Sequence, residues 1–299
     1  MADRFQTLGP VLHRLRLRRD PRPKAPSQVT AIDLEGVILR VVQTSGRGVV
    51  SRVVSGTLEL PADADRNDPA VLGPALQKAL ARLGVRPSSV VMGVPRARVI
   101  LRTLTVPVIE KQAELASLVR LQVGRDLPFR LEEAVVDFKV RRRLPAVPDP
   151  AAPRDEAEGT ASGTATATAP IPAPQPKLEV LVAVVKREVV DFHQRLAEAA
   201  GFKLTALGLL PYANARCVEA CHVADGDGAF ALVSLRPEEI GIDIIASQSL
   251  LFSRGTPIRA GNESSQGDAT VTAAVIEVVR TLHSYSGMAS DPPVAKVVV

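Results

Sequence analysis

The sequence predicts an α/β protein in which a strand–helix–strand–strand segment interrupts an otherwise regular alternation of strands and helices. Three observations predict this class. The chain has 299 residues, enough for two modest domains or one large one. Apolar residues make up 46 % of it, yet there is no Trp, only two Tyr and seven Phe. The core must therefore be built from Val, Leu, Ala and Ile, as suits buried strands of an α/β protein. Short β-branched runs also alternate with segments of helical periodicity from residue 29 onward.

Taken in order, 29–34 reads as a first strand and 37–42 as its hairpin partner across a Glu35-Gly36 turn, with 49–60 continuing in β style. Apolar residues at 72, 76, 80 and 83 predict a helix, with Gly84 as the residue just past its end. Val90–Val94 is a short buried strand closed by Pro95. The interrupting segment follows: a strand over 98–106, an amphipathic helix over 110–125, and strands over 134–140 and 178–185. Residues 144–177 are Pro, Ala, Thr and Gly with almost nothing large and apolar, so they are expected to remain a disordered insertion. Beyond it come a helix over 188–200, a strand over 203–210, a helix over 212–221 and a turn at 225–228. Strands over 230–235, 241–246 and 249–254 follow, then a helix over 268–282 and a strand over 295–299. The last strand runs to the final residue, so the natural chain is expected to continue past Val299.

Charge and composition exclude several functions. Residues 1–24 hold seven basic residues against two acidic ones, which accounts for the whole net charge of +5. The body is formally neutral and poor in aromatics, so it offers neither a basic face nor stacking platforms, and no nucleic-acid partner is expected. In the tail, Phe5, Leu8, Leu12 and Leu15 lie at roughly helical spacing beside Arg14, Arg16, Arg18 and Arg19. One reading is a solvated basic tail. The other is electrostatic attachment to an anionic membrane or an acidic partner. Cys217 and Cys221 are too few for a disulfide framework and are expected to be small buried apolar residues, with no metal site. No apolar run approaches the length of a membrane span and no signal peptide is legible, which predicts a cytoplasmic location. His13, His193, His222 and His283 are scattered outside any catalytic motif, and there is no P-loop.

Several segments together resemble the type IV pilus assembly protein PilM family. The first is Val90-Val91-Met92-Gly93-Val94-Pro95, followed by Val99-Ile100-Leu101-Arg102 and Leu104-Thr105-Val106-Pro107. The second is Asp126-Leu127-Pro128-Phe129-Arg130-Leu131-Glu132-Glu133 with Val136-Asp137-Phe138. The third is Leu178–Val184 with Ala199-Ala200-Gly201-Phe202 and Leu210-Pro211, and Leu250–Arg254 with Pro257-Ile258 matches a further family strand. The resemblance implies an actin-like (ribonuclease H-like) two-lobed fold related to FtsA and the cytoplasmic part of GspL. On that basis residues 1–28 are a basic tail and 29–96 plus 186–224 a first lobe. Residues 97–185 are then an inserted strand–helix–strand–strand subdomain holding the 144–177 insertion, and 225–299 a second lobe. It further implies a scaffold at the cytoplasmic side of the inner membrane, docking the short tail of a PilN-like membrane protein. Actin-like folds often polymerise, so a homo-oligomer is a further expectation.

Actin-like ATPases hold phosphates on two hairpins that carry Asp-x-Gly, where Gly admits the phosphates to the backbone and Asp orients Mg²⁺. Here the first hairpin keeps Asp33 but places Glu35 at the glycine position, followed by Gly36, with Arg40 further on. In the second, Ser234 stands where Asp is usual and Arg236 where Gly is usual. A Gly-Gly turn for adenosine would fall after Val299. A carboxylate at Glu35 would repel a triphosphate, by ~1 kcal/mol in water and several times that at lower dielectric. The expectation is a protein without catalytic residues and without ATP or Mg²⁺, with Arg236 as a phosphate clamp the counter-reading. The alternatives are a divergent actin-like ATPase, or a membrane-surface adaptor acting through the basic tail.

Overall fold

The computed structural model describes residues 28–46, 50–61, 65–145, 175–221, 223, 228–246, 249–258, 266–286 and 292–299. The basic tail, most of the Pro/Ala/Thr/Gly insertion and the expected 225–228 turn lie outside these residues, apart from Gly228. The chain divides into two compact units. The first comprises the chain up to Ile100, Glu132–Val135 and Val184–Val299, and the second Leu101–Leu131 and Val136–Ala183.

In the first unit, β1 (Gln28–Glu35), β2 (Ile38–Ser45) and β3 (Arg52–Glu59) form an antiparallel meander. Helix α1 (Pro69–Arg82) leads to β4 (Ser89–Val94), which returns parallel to β1. The β1–β2 turn is one residue later than the sequence suggests. Glu35 stays on the ladder opposite Ile38, and Gly36, at φ +57°, begins the turn in a left-handed conformation glycine adopts without strain. Helix α1 starts where Asp68 caps Ala70 N at 2.8 Å with Pro69 in the first turn, and Gly84 follows its end at φ +70° as expected.

After the second unit the chain returns as α3 (Arg187–Ala199), then β8 (Lys203–Leu209) parallel to β4, giving the order β3-β2-β1-β4-β8. Pro211 occupies the first turn of α4 (Leu210–Ala220), where its missing N–H costs nothing. Leu39, Leu72, Leu76, Leu80, Met92 and Leu196 fill the core between this sheet and helices α1 and α3. The two helices touch closely at Gly73, where a Cβ would sit 2.5 Å from the Ala199 Cβ.

The same order then recurs. Strands β9 (Ala229–Leu235), β10 (Glu239–Ala246) and β11 (Ser249–Pro257) form a second antiparallel meander. Helix α5 (Gln266–Ser286) follows, then β12 (Val294–Val298), parallel to β9, giving the order β11-β10-β9-β12. Both sheets thus share one plan: three antiparallel strands, a helix, and a fourth strand parallel to the first. All eight residues of β10 are buried, including Glu239 and Asp243.

The second unit contains most of β5 (Val99–Pro107), α2 (Gln112–Gly124), β6 (Ala134–Leu144) and β7 (Lys177–Lys186), in the sheet order β5-β7-β6. Leu115, Val119 and Val123 form the buried face of α2, and Val180 and Val182 of the central strand are buried with them. Glu179 pairs with Arg141 and Arg142 at 3.3 and 2.9 Å.

One expectation is corrected. Cys217 and Cys221 are exposed. The buried face of α4 is Pro211, Ala215 and Val218, and the cysteines fall off that stripe. Among the described residues no helix is long and apolar enough to cross a membrane, and no cluster of His, Cys, Asp or Glu could hold a metal ion.

Candidate functional site

The equivalent turns of the two sheets bring the candidate residues together. Asp33 and Glu35 both lie near the end of β1, and Arg40 on β2 pairs across the ladder with Asp33. Its Nη1 donates to Asp33 Oδ2 at 3.2 Å and to Glu35 Oε2 at 3.0 Å. Arg236 arrives from the β9–β10 turn. Its Nη2 donates to Asp33 Oδ1 and Oδ2 at 3.1 and 2.9 Å and lies 3.0 Å from Glu35 Oε2. The backbone N–H of Glu238 donates to Glu35 Oε1 at 3.2 Å. Two carboxylates are therefore neutralised by two guanidiniums and an amide. Burial alone would lower the pKa of Arg236, but Asp33 and then Glu35 more than reverse it, so the guanidinium stays charged.

The tip of the first hairpin is fitted to this junction. A Cβ on Gly36 would lie 2.6 Å from Glu238 Oε1. Glu238 in turn pairs with Arg66 at 3.3 Å. The side chain at the usual second glycine position thus occupies the space beside Asp33 that backbone would leave open. It satisfies the carboxylate expected to orient Mg²⁺ and the one expected to repel phosphate.

Among the described residues Ser234 makes no side-chain hydrogen bond to the ion cluster. It lines a cavity of about 240 Å³ with Arg40, Arg96, Asn214, Arg236 and Asp243, and its Oγ is 3.5 Å from Asn214 Nδ2. That volume is below the roughly 300–1,000 Å³ of usual small-molecule pockets. The polar wall is a network that motif comparison misses. Asn214 on α4 donates to Asp243 Oδ2 at 3.0 Å, and Ser253 Oγ donates to Asp243 Oδ1 at 2.7 Å. Burial raises the pKa of Asp243 against the lowering effect of these donors.

Arg96, just past β4, crosses to the second sheet. Its Nη2 and Nε donate to Ser253 O at 2.8 and 3.3 Å, and Nε also to Ser253 Oγ at 2.9 Å. Glu239 accepts the Ala97 N–H at 2.6 Å, and burial is the largest influence on its raised pKa. Gly255 makes room for this crossing, since its Cβ would meet Arg96 Cγ at 2.7 Å. The available signal for Asp243 and Glu239 is the apolar run Ile240–Ala246, in which a lone carboxylate demands a buried partner.

Arg14, Arg16, Arg18 and Arg19 lie outside the described residues. His193 is a structural histidine: its Nδ1 bonds the Val189 carbonyl at 2.7 Å, and burial lowers its pKa.

The duplicated sheet plan and the facing hairpins define an actin-like fold, the class the sequence predicted. Over residues 32–153 the chain is PilM-like, for it matches the family described as "Type IV pilus assembly protein PilM". The solved "PilM-PilN type IV pilus biogenesis complex" is similar across 90 % of this chain and 80 % of that one, at 17 % identity and a TM-score of 0.67. The cytoplasmic domain of EpsL, an inner-membrane component of the type II secretion system of Vibrio cholerae, covers 78 % of this chain and 71 % of its own. It is 13 % identical, with a TM-score of 0.42. Comparison with curated proteins finds no match.

Proposed function

We propose that this protein is a non-catalytic assembly scaffold of a type IV pilus or a related secretion or competence machine. It would work at the cytoplasmic face of the inner membrane by docking the short tail of a PilN-like membrane protein. The observation that carries the non-catalytic part is Arg236. Its guanidinium sits on Asp33 and Glu35, so both carboxylates already have a cation carried by the chain. A magnesium–phosphate group entering there would have to displace a paired arginine and meet Glu35. The partner rests on the PilM-like segment and on the fold shared with a PilM–PilN complex. Peptide tails of this kind dock on strand edges or in apolar grooves. Arg14, Arg16, Arg18 and Arg19 would add electrostatic attachment to an anionic surface.

Two titrations test the proposal. Mg-ATP added to the protein should give no heat at high micromolar nucleotide, and a peptide copying the cytoplasmic tail of a PilN-like membrane protein should bind. Nucleotide binding that Arg236→Ala weakens would instead make Arg236 a phosphate clamp and favour the divergent ATPase.

A further inference from the structure

We infer that the groove at the C-terminal end of α1 is a docking surface, which takes an acidic, apolar peptide segment of a partner. The groove has a volume of about 770 Å³, within the range of sites that enclose a ligand. Pro74 and Ala81 on α1, Val85 and Pro87 on the link to β4, and Phe202 before β8 give it an apolar lining. Its charged lining residues are Lys78 and Arg86. Both are exposed, and neither makes an ion pair or side-chain hydrogen bond among the described residues. The arginines of the hairpin cluster, by contrast, are matched to carboxylates. Two unmatched cations beside an apolar floor complement carboxylates flanking apolar side chains. A nucleic acid is disfavoured, because Phe202 is the groove's one aromatic and is itself buried.

The groove is separate from the hairpin site. Strand β4 begins two residues after Pro87 and ends two residues before Arg96, and its six residues span ~20 Å. The inference rests on the scaffold reading, because a protein that links components needs two surfaces that can be occupied at once.

The test is fluorescence polarisation with two labelled octapeptides, the acidic LELPELEL and its basic counterpart LKLPKLKL, against the full chain. The acidic peptide should bind, and raising salt should weaken it. Lys78→Glu/Arg86→Glu should cost it at least about tenfold in affinity while the basic peptide gains binding. Ala81→Arg keeps the positive charge but obstructs the floor, and should weaken the acidic peptide too. Circular dichroism confirms that each variant is folded. Failure of the acidic peptide to bind at ~1 mM, or binding that ignores the charge reversal, overturns the inference. Dodecanoate binding where neither peptide binds also overturns it, in favour of a small amphiphile. The Mg-ATP and tail-peptide titrations are read on the unsubstituted protein and without either octapeptide, so the two proposals fail separately.

Discussion

Replacing Arg236 with alanine removes one guanidinium from a junction of two carboxylates. Asp33 and Glu35 are 18 % and 6 % exposed at the side chain and Arg236 17 %, so the pair is mostly, not fully, withdrawn from water. Breaking a fully buried pair costs about 3–5 kcal/mol. Here Arg40 remains as a partner at 3.2 and 3.0 Å, though it is itself 36 % exposed and partly screened. The expected loss is therefore about 1–3 kcal/mol, or a fall in Tm of roughly 3–10 °C for a unit of this size. Differential scanning fluorimetry reads it directly. The decisive control is Asp33→Asn/Glu35→Gln, which keeps shape and removes charge. In that background Arg236→Ala should cost less than about 0.5 kcal/mol, because its counter-ions are gone. An equal loss in both backgrounds would mean that Arg236 acts by packing, and the ionic account of the junction would be refuted.

Three further outcomes are expected. Glu239→Gln keeps an acceptor for Ala97 N–H without the charge. The folded-state pKa of Glu239 is raised above its ordinary value of 4.5, so the wild type should lose stability as pH rises through that value and beyond. The variant should lack that part of the slope, which urea titrations between pH 4 and 7 would measure. Gly255→Ala puts a methyl against Arg96 and should release its bonds to Ser253, seen as faster amide exchange at residues 96–99. Gly73→Ala forces α1 away from Ala199 and should cost about 1–3 kcal/mol by thermal unfolding, whereas Gly84→Ala, with nothing near its Cβ, should cost only the ~1 kcal/mol of a left-handed residue.

Much of this fold was legible because its strands and helices obey their own periods. Val90–Val94 is short, β-branched and closed by proline, and Leu72, Leu76 and Leu80 mark one helical face. Both signals are local. The Glu35-Gly36 turn was misplaced by one residue, because Glu at the end of a strand looks like a turn residue until its partner is known. One partner is Arg40 in the same hairpin, but the other is Arg236, 201 positions along the chain, and no local pattern reports it. Three site residues, Glu35, Ser234 and Arg236, were in view as departures from Asp-x-Gly, yet the pairing that joins Glu35 to Arg236 was not. The Arg96–Ser253–Asp243–Asn214 network was missed for the same reason, since each member stands in a different element. The cysteines were misjudged because a spacing of four places two residues on one face but does not say which face is inward.

The arginine at the junction of the two hairpins is tethered. A diffusible ion or phosphate occupies a site in proportion to its supply, and leaves when that supply falls. A side chain on the adjoining turn is present at a fixed local concentration, of the millimolar order typical of short tethers, whatever the cell contains. Any free competitor must outbid that standing concentration before it can enter. On the scaffold reading, the strength of the junction therefore follows ionic strength rather than the supply of a free ligand.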